Sequence, residues 1–249
     1  MCGIVGYVGE NSASPILING LKKLEYRGYD SAGIAVSENG KTNVVKTKGR
    51  IKNLEEKLEE VGGLSGTVGI GHTRWATHGA PTDVNAHPHK GGNGRITLVH
   101  NGIIENYIEL KTMLQKGGYV FVSETDTEVL AHLFDYYYKG DLLDAMVNVM
   151  KTVRGSYAVA VLAEDKPGTI IAARKDSPLI VGLGDGENFL ASDIPAVLKY
   201  TRDCYLLEDN QIAVLTKDNV TLYDTDKNVV KKDVYHVTWD VEAAEKCGY

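Results

Sequence analysis

The sequence of 249 residues is poor in cysteine and proline, with 3 and 6 respectively. Cys2, Cys204 and Cys247 lie far apart and form no C-x-x-C pair, which argues against a disulfide framework and against a structural zinc knuckle. No apolar run approaches the roughly 20 residues that a membrane helix requires. The first residues lack the charged region of a secretory signal. We therefore expect a cytoplasmic protein with no membrane partner.

Basic residues are also scarce in any one place, because no Lys/Arg-rich run occurs and the formal net charge is -6. Binding to a phosphate backbone normally needs such a basic cluster, so we expect no nucleic-acid partner. What is present is ordinary for a folded protein: 43% hydrophobic and 24% charged residues, with 27 glycines. The composition indicates a globular fold.

Hydrophobic periodicity predicts helices and strands in separate groups along the chain. The first predicted helix has Ser14 as its N-cap, Pro15 at its first position and Gly28 at its C-cap. Further helices are predicted at 51–61, 104–116, 126–138, 141–153 and 194–200. Strands are predicted at 2–8, 29–37, 42–48, 67–73, 95–100, 156–163, 169–173, 179–181, 188–191, 205–207, 211–215 and 220–223.

Two local signals sharpen this pattern. Asn39-Gly40 is typical of a type I′ hairpin turn, and Thr125-x-x-Glu128 of a capping box. Many strands that are apolar on both faces, with clustered helices, predict two stacked sheets covered by helices on the outside. We expect one α+β domain over residues 2–240 and a charged tail from about Thr238.

Cys2 is the first candidate catalytic residue, because removal of Met1 would give it both a thiol and a free α-amino group. An α-amine has a pKa of roughly 7.7–8.0, so at neutral pH it can accept the thiol proton without a histidine. A cysteine in this position by chance is the plain alternative. However, Cys2 opens an apolar strand that should be buried in a sheet, which favours a catalytic nucleophile.

Arg74 lies where a predicted strand ends, in a stretch that also carries Trp75 and two histidines, His72 and His78. A guanidinium is suited to a bidentate contact with a substrate carboxylate, whereas most arginines are solvated at the surface. The histidines, with His87-Pro88-His89 close behind, are also compatible with a metal site. No nearby Cys, Asp or Glu at ligand spacing completes such a site, so packed histidines remain the alternative.

Asn101-Gly102 follows a strand, and Asp126 opens a predicted helix. An asparagine amide and a backbone N–H brought close by glycine could form an oxyanion hole, although Asn-Gly is also a common turn. Asp126 is expected either to cap the helix or to bind an ammonium group. With Arg74 on a carboxylate and Asp126 on an ammonium, the site would bind a free amino acid whose side chain Cys2 attacks.

These residues lie in motifs that resemble those of the class II glutamine amidotransferases. The sequence around Tyr26 and around Trp75 resembles the amino-sugar-forming members in particular. The resemblance extends in order from residue 2 to about residue 240. Its motifs are CGIVG at 2–6, LEYRGYDSAG at 24–33, HTRWATHG at 72–79, NAHPH at 85–89, HNGIIEN at 100–106 and SETDTE at 123–128.

The resemblance implies a four-layer αββα sandwich of the N-terminal-nucleophile hydrolase type and no cofactor. It also implies roles: Cys2 forms a γ-glutamyl thioester, Asn101 and Gly102 hold the oxyanion, and Arg74 and Asp126 bind the carboxylate and α-amino groups of L-glutamine. The remaining expected contacts line or close the pocket, and His87 is expected to serve its sugar-responsive side. These contacts are Gly28, Trp75, Thr77, His78 and His87.

The amino-sugar-forming members normally continue into a C-terminal sugar isomerase half, whereas this sequence ends at Tyr249, and 241–249 resembles the start of the linker. The expected activity is hydrolysis of glutamine to glutamate and ammonia. In the full-length enzyme, expected to be a homo-oligomer, the ammonia would convert D-fructose 6-phosphate to D-glucosamine 6-phosphate. A non-catalytic module, as would result from retention of Met1, or a metal-binding regulatory module is the alternative.

Overall fold

The first strand of the chain lies in the middle of a sheet. In a computed structural model, which describes residues 2–76 and 79–239, β1 (Gly3–Val8) is buried along its whole length. It pairs antiparallel with β4 (Val68–Arg74) on one side and with β10 (Asn188–Ala191) on the other. Cys2, just before β1, is therefore held at the end of a central strand and not on a free terminus.

The sheet that contains β1 has eight strands. Its other strands are β2 (Ser31–Glu38), β3 (Lys41–Lys48), β9 (Ile180–Leu183), β11 (Asp203–Leu206) and β14 (Tyr235–His236). The order across the sheet is β14-β11-β9-β10-β1-β4-β2-β3. The predicted turn between β2 and β3 is confirmed, because Asn39 and Gly40 both have positive φ, at 50° and 76°, as a type I′ turn requires.

The second sheet has six strands in the order β13-β12-β8-β7-β6-β5. These strands are β5 (His89–Gly91), β6 (Ile96–Ile104), β7 (Gly155–Ala163), β8 (Ile170–Lys175), β12 (Ile212–Leu215) and β13 (Val220–Tyr223). Alternate residues of each sheet contribute to an apolar layer between the two sheets, for example Ile4 and Ile70 from the first and Val99 and Ala160 from the second.

Helices cover the outer face of each sheet. The helices α1 (Ala13–Leu24) and α2 (Ile51–Glu60) pack on the eight-stranded sheet, with Leu17, Leu21, Leu24, Ile51, Leu54 and Leu58 in one apolar cluster. The helices α3 (Tyr107–Lys116), α4 (Asp126–Tyr137) and α5 (Leu142–Thr152) pack on the six-stranded sheet through a second cluster. The predicted four-layer αββα arrangement is thus what the structure shows.

Several predicted boundaries are wrong. Helix α1 begins after Ser12, and the Ser14 hydroxyl, predicted as its cap, donates instead to the Leu64 carbonyl oxygen at 2.8 Å. The helix ends at Leu24, and a 3₁₀ turn at Glu25–Arg27 extends the chain to Gly28.

The sequence prediction also misplaced elements farther along the chain. Helix α3 starts at Tyr107 instead of 104, because β6 continues through Ile104. The predicted helix 194–200 is only a 3₁₀ turn at Ile194–Ala196, and the strands β5 and β14 were not predicted. The exposed Val61 lies just beyond α2.

Of the capping box predicted at α4, the structure shows the N-cap half, while the Glu128 side chain bonds residues before the cap. The Glu128 N–H donates to the Thr125 hydroxyl at 3.2 Å. The Glu128 carboxylate accepts from the N–H groups of Val122 and Ser123, at 2.9 and 2.7 Å, rather than from that of Thr125. This buried carboxylate fixes the chain that leads into α4, and therefore the direction of Asp126.

The end of the described chain is less exposed than predicted, because Trp239 packs against the cluster under α1 and its carbonyl oxygen accepts from Arg202 at 3.0 Å. The expected linker at 241–249 lies outside the described residues. Between residues 2 and 239, apart from 77 and 78, no helix combines the length and the apolar character needed to cross a membrane.

Candidate active site

The Cys2 thiol is half-buried where the ends of the two sheets meet. The Trp75 N–H donates to its sulfur at 3.3 Å, and the sulfur lies 3.6 Å from the Trp75 carbonyl oxygen. A cavity of about 290 Å³ opens beside it. The prediction that Cys2 is anchored at a sheet end is confirmed, and the cavity lies beside its thiol.

The surroundings of Cys2 do not ionise its thiol. Burial raises the pKa of Cys2, while the hydrogen bond from Trp75 and the positive charge of Arg74 lower it and the charge of Asp126 raises it further. A thiol in this site therefore needs a base that takes its proton during attack, which is the role the sequence assigned to the α-amine.

Asn101, in β6 of the second sheet, bridges the sheets at this point. Its side-chain Nδ2 donates to the Cys2 carbonyl oxygen at 3.0 Å, and its Oδ1 lies 3.0 Å from Nε2 of His72. Because an amide nitrogen carries two N–H groups, the hydrogen bond to Cys2 leaves a second N–H available for a substrate oxygen.

Gly102 follows directly and lines the same cavity. Its φ is +120°, and a Cβ at this position would lie 2.1 Å from the Ser156 carbonyl oxygen. Both the conformation and the space therefore require glycine. The close approach of β6 to β7 places the exposed Gly102 backbone beside Cys2, which is where an oxyanion hole is needed.

Arg74, the last residue of β4, is buried, so the solvated-surface alternative is wrong. Its guanidinium donates to the carbonyl oxygens of Gly79 and Ala80, each at 3.3 Å. Burial lowers the pKa of Arg74, whereas Cys2 in its thiolate form and the Asp126 carboxylate raise it, and a guanidinium stays charged at any physiological pH. The site thus has a fixed positive charge near Cys2.

Asp126 is the first residue of α4, and it does not cap the helix, since the Thr125 hydroxyl does so. Its Oδ2 accepts from the Ile104 N–H at 2.9 Å, which ties α4 to the end of β6. The carboxylate acts electrostatically on both Cys2 and Arg74. A buried negative charge and a buried positive charge therefore both act on one thiol.

The sequence profile of the glutamine amidotransferase domain matches residues 72–199, which is half of the chain. The chain belongs to the glutamine amidotransferase family.

Its most similar curated relatives include the glutamine–fructose-6-phosphate aminotransferases (isomerizing) of Clostridium tetani and Thermus thermophilus, 60% and 55% identical over 249 residues. All of this chain is covered, but only 41% of the length of each relative. The amino-sugar-forming branch predicted from Tyr26 and Trp75 agrees with these relatives.

Solved amidotransferases share the fold. The glutamine phosphoribosylpyrophosphate amidotransferase from B. subtilis superposes with a TM-score of 0.78 at 28% identity, over 92% of this chain and 50% of that one. A class II glutamine aminotransferase domain from Silicibacter pomeroyi, 13% identical with a TM-score of 0.62, matches in fold alone over 90% of this chain and 99% of its own. The predicted N-terminal-nucleophile hydrolase sandwich is confirmed.

Gly28 and Trp75, two of the predicted pocket residues, meet in this amidotransferase site. Gly28 packs against the peptide bond between Arg74 and Trp75. The Trp75 indole is 45% exposed and makes an edge contact with Tyr29 at 5.6 Å between ring centroids. Asp30 completes the connection by accepting from the Ala76 N–H at 2.8 Å. The predicted residues Thr77 and His78 lie outside the described residues.

The structure places His87 behind the site and not on the cavity wall. It is buried, and its ring stacks on that of His72 with centroids 3.9 Å apart. Its Nδ1 accepts from the His100 N–H at 3.4 Å. The predicted direct contact of His87 with a substrate does not fit this location, because His72 lies between it and Asn101; any response of His87 to a sugar stays a prediction.

Sequence reasoning missed part of the cavity wall. Arg27, Ser156, Ser177 and Pro178 line it together with Cys2. Arg27 is buried and bonds Asp193 at 2.9 Å. Arg27 lies within the LEYRGYD motif and could have been singled out, whereas no spacing rule marks Ser156 or Ser177, which come from distant strands and turns.

The alternative of a metal site finds no support in the part of the chain that the structure describes, where no group of three or more His, Cys, Asp or Glu residues is arranged to hold an ion. The histidines have other contacts: His89 bonds the Thr125 hydroxyl at 3.2 Å, and His100 bonds the Thr127 hydroxyl at 3.0 Å. His89 and His100 are thus held by packing and by hydrogen bonds to threonine hydroxyls.

Proposed function

We propose that this chain hydrolyses L-glutamine to L-glutamate and ammonia with Cys2 as the nucleophile. The observation that carries the proposal is the bridge at the start of β1, where Asn101 bonds the Cys2 carbonyl oxygen while the thiol opens onto a cavity. In a member of the glutamine amidotransferase family, this arrangement suits one substrate carbonyl group. The thiol can attack its carbon while the Asn101 N–H binds its oxygen.

The reaction begins with proton transfer from the Cys2 thiol to the α-amine of the same residue, which is free once Met1 has been removed. The sulfur then attacks the side-chain amide carbon of glutamine, and the carbonyl oxygen becomes an oxyanion bound by the free N–H of Asn101 and the Gly102 backbone. The α-ammonium returns its proton to the departing nitrogen, which leaves as ammonia. Water, deprotonated by the same amine, attacks the γ-glutamyl thioester and releases glutamate; the Cys2 sulfur leaves as a thiolate and takes the proton back from the α-ammonium.

Recognition of the amino acid is assigned to the two buried charges. The Arg74 guanidinium binds the substrate α-carboxylate, and the Asp126 carboxylate binds its α-ammonium group. Both side chains are at least nine-tenths buried and are held by protein contacts, so a ligand finds them already oriented. Trp75, Thr77 and His78 are proposed to close over this ligand.

The fate of the ammonia is proposed from the relatives. The chain spans 41% of the length of the Clostridium tetani protein, whose name states transfer to fructose 6-phosphate with isomerisation. We propose that residues 2–240 are the glutaminase domain of such an enzyme, with 241–249 leading to a sugar isomerase half that forms D-glucosamine 6-phosphate. The homo-oligomeric state and the cytoplasmic location stay predictions.

The proposal is tested with the variant Cys2→Ala and the matched variant Cys204→Ala. Cys204 is a buried cysteine in β11 of the same sheet, so it controls for the loss of a sulfur. Release of glutamate and ammonia from glutamine is measured on protein whose intact mass shows that Met1 is absent. We expect Cys2→Ala to reduce hydrolysis to background while Cys204→Ala retains it. Hydrolysis by Cys2→Ala at the unmodified rate, or its absence from the unmodified protein, would overturn the proposal.

A further inference from the structure

The two ends of the Asn101 side chain have similar shape but opposite hydrogen-bonding character. Only its Nδ2 end can stabilise an oxyanion, since the Oδ1 end would repel the charge. A donor at this position therefore depends on whatever fixes the rotation of the amide. The contacts of Asn101 with Cys2 and His72 fix this rotation.

The amide orientation follows from two backbone carbonyls that can only accept. His72 Nε2 lies 3.1 Å from the His100 carbonyl oxygen, so Nε2 must carry the hydrogen. The Asn101 atom 3.0 Å from Nε2 must then be the acceptor, Oδ1. Nδ2 is left facing the Cys2 carbonyl oxygen at 3.0 Å, which again only accepts. One tautomer of His72 thus sets the direction of the Asn101 amide.

The position of the His72 ring is itself fixed. His72 lies in β4, opposite Ile4 of β1 and Gly33 of β2, and its side chain is completely buried. The His87 ring stacks on it, nearly parallel at 19°. Burial lowers the pKa of His72 to about 3, so the ring is neutral at physiological pH. Its Nδ1 makes no hydrogen bond to the described residues, so its polar role is confined to Nε2.

We infer that His72 is a positioning residue for glutamine hydrolysis, which fixes the Asn101 amide so that its N–H faces the developing oxyanion. The inference rests on the proposed function for its catalytic consequence, but the hydrogen-bond arrangement can be measured separately. His72 does not line the cavity, and within the described part of the chain its ring bonds Asn101 and His100 and not Cys2, so its effect passes through Asn101.

Two amide substitutions separate this role from simple packing. A glutamine side chain places its N–H near the Nε2 position of histidine, whereas an asparagine places it nearer to Nδ1. We expect His72→Gln to reduce kcat by less than about threefold and His72→Asn by about 10- to 100-fold, with KM changed less than twofold, since loss of an oxyanion donor costs ~10²–10³ in kcat. His236→Gln, at an exposed histidine of β14, is the control and should leave kcat unchanged.

Coupling to Asn101 provides the decisive measurement. If His72 acts through Asn101, His72→Asn should cause no further loss of kcat in the Asn101→Ala background, because the group it orients is already absent. Equal losses in both backgrounds, or equal losses in His72→Gln and His72→Asn, would overturn the inference. The rate of Cys2 alkylation by iodoacetamide and the thermal midpoint should stay close to those of the unmodified protein.

Spectroscopy tests the arrangement even if the variants fold poorly or glutamine is not the substrate. In ¹⁵N-labelled unmodified protein, the His72 ring should show a protonated Nε2 and an unprotonated Nδ1 between pH 6 and 8. The side-chain NH₂ signals of Asn101, identified by their absence in Asn101→Ala, should shift in His72→Asn but not in His236→Gln. The opposite tautomer would overturn the inference, whereas absent glutaminase activity with this tautomer would overturn only the proposed function.

Discussion

Gly28 lies so close to the peptide bond between Arg74 and Trp75 that a Cβ on residue 28 would be 2.7 Å from the Arg74 carbonyl carbon and 2.9 Å from the Trp75 nitrogen. The φ of Gly28 is -172°, an extended value that any residue adopts, so space and not conformation requires glycine here. Because the neighbour is backbone, no side-chain rotation can relieve the contact. Gly28 therefore determines how near the 25–30 segment approaches the residues that flank Cys2.

The first prediction concerns Gly28→Ala. The added methyl group should push the Arg74–Trp75 peptide away and displace both the guanidinium and the N–H that bonds the Cys2 sulfur. We expect kcat/KM for glutamine to fall at least ~10-fold, since displacements of about 1 Å can cost 10²-fold. Steady-state kinetics of glutamate release measures this. Gly186→Asn is the control, because Gly186 has open space around it and a φ of 66° that asparagine tolerates; wild-type kinetics in Gly28→Ala would contradict the prediction.

The sequence located the chemical groups of this site better than their arrangement. Cys2, Arg74 and Asp126 could each be identified because each stands at the end of a strand or the start of a helix, where the hydrophobic pattern stops and a polar residue begins. Their convergence could not be deduced from spacing. It depends on β1 inserting between β4 and β10, and a pairing of strands so distant in sequence leaves no local signal.

The roles of the histidines also could not be assigned from the sequence alone. From sequence, His72 and His87 were compatible with metal ligands, packed residues or substrate contacts, since an imidazole serves all three. Only the fold shows that His72 faces Asn101 while His87 stacks behind it. The misplaced start of α3 has a comparable cause. The apolar pair Ile103-Ile104 fits the hydrophobic periodicity of a helix as well as that of a strand, and pairing with β7 makes it part of a strand.

The second prediction concerns Gly102→Ala, where both conformation and space are unfavourable. The φ of +120° is one that L-residues rarely adopt, and the Cβ would lie 2.1 Å from the Ser156 carbonyl oxygen. We expect the free energy of unfolding to fall by about 2–3 kcal/mol, which is more than the backbone strain alone would cause, and we expect kcat to fall as well. Urea denaturation and glutamate release measure the two effects.

Gly140→Ala is the matched control for Gly102→Ala. Gly140 also has a positive φ, at +99°, but no atom lies within 4 Å of its would-be Cβ. It should cost about 1 kcal/mol of stability and leave kcat unchanged, because only the conformational strain is shared. Equal destabilisation by the two variants would show that the approach of β6 to β7 is not what requires glycine at 102.

The third prediction is the pH dependence of stability. Burial lowers the pKa of His72 and of His89 to about 3, and lowers that of His87 well below its usual range. Between pH 3 and 6.5 the unfolded chain binds protons that the folded protein does not, so the free energy of unfolding should fall as the pH falls through this window. Each such histidine contributes a slope of up to about 1.4 kcal/mol per pH unit.

The histidine variants make this prediction specific. His89→Gln removes one titrating group but keeps an amide near the Thr125 hydroxyl, so it should reduce the slope by about 1 kcal/mol per pH unit between pH 4 and 6. His236→Gln, at an exposed histidine, serves as the comparison. Urea denaturation at each pH gives the slopes, and a slope in His89→Gln equal to that of the unmodified protein would contradict the prediction.

The last prediction separates the charge of Asp126 from its hydrogen bond. In Asp126→Asn the side-chain oxygen can still accept from the Ile104 N–H, so the end of β6 should remain tied to α4 and the thermal midpoint should change little. The negative charge that would bind the substrate ammonium is lost. We therefore expect KM for glutamine to rise at least ~10-fold, within the 1.5–3 kcal/mol that a hydrogen bond to a charged group contributes.

A second substrate shows whether the lost charge acts on the ammonium group. Glutaramate, which is glutamine without its α-amino group, should be hydrolysed far less efficiently than glutamine by the unmodified protein, and Asp126→Asn should narrow this difference. Because the charge of Asp126 raises the pKa of Cys2, the variant should also alkylate faster at pH 7. Asp144→Asn, in the first turn of α5, is the exposed control. An unchanged preference for glutamine over glutaramate in Asp126→Asn would assign the ammonium group to another partner.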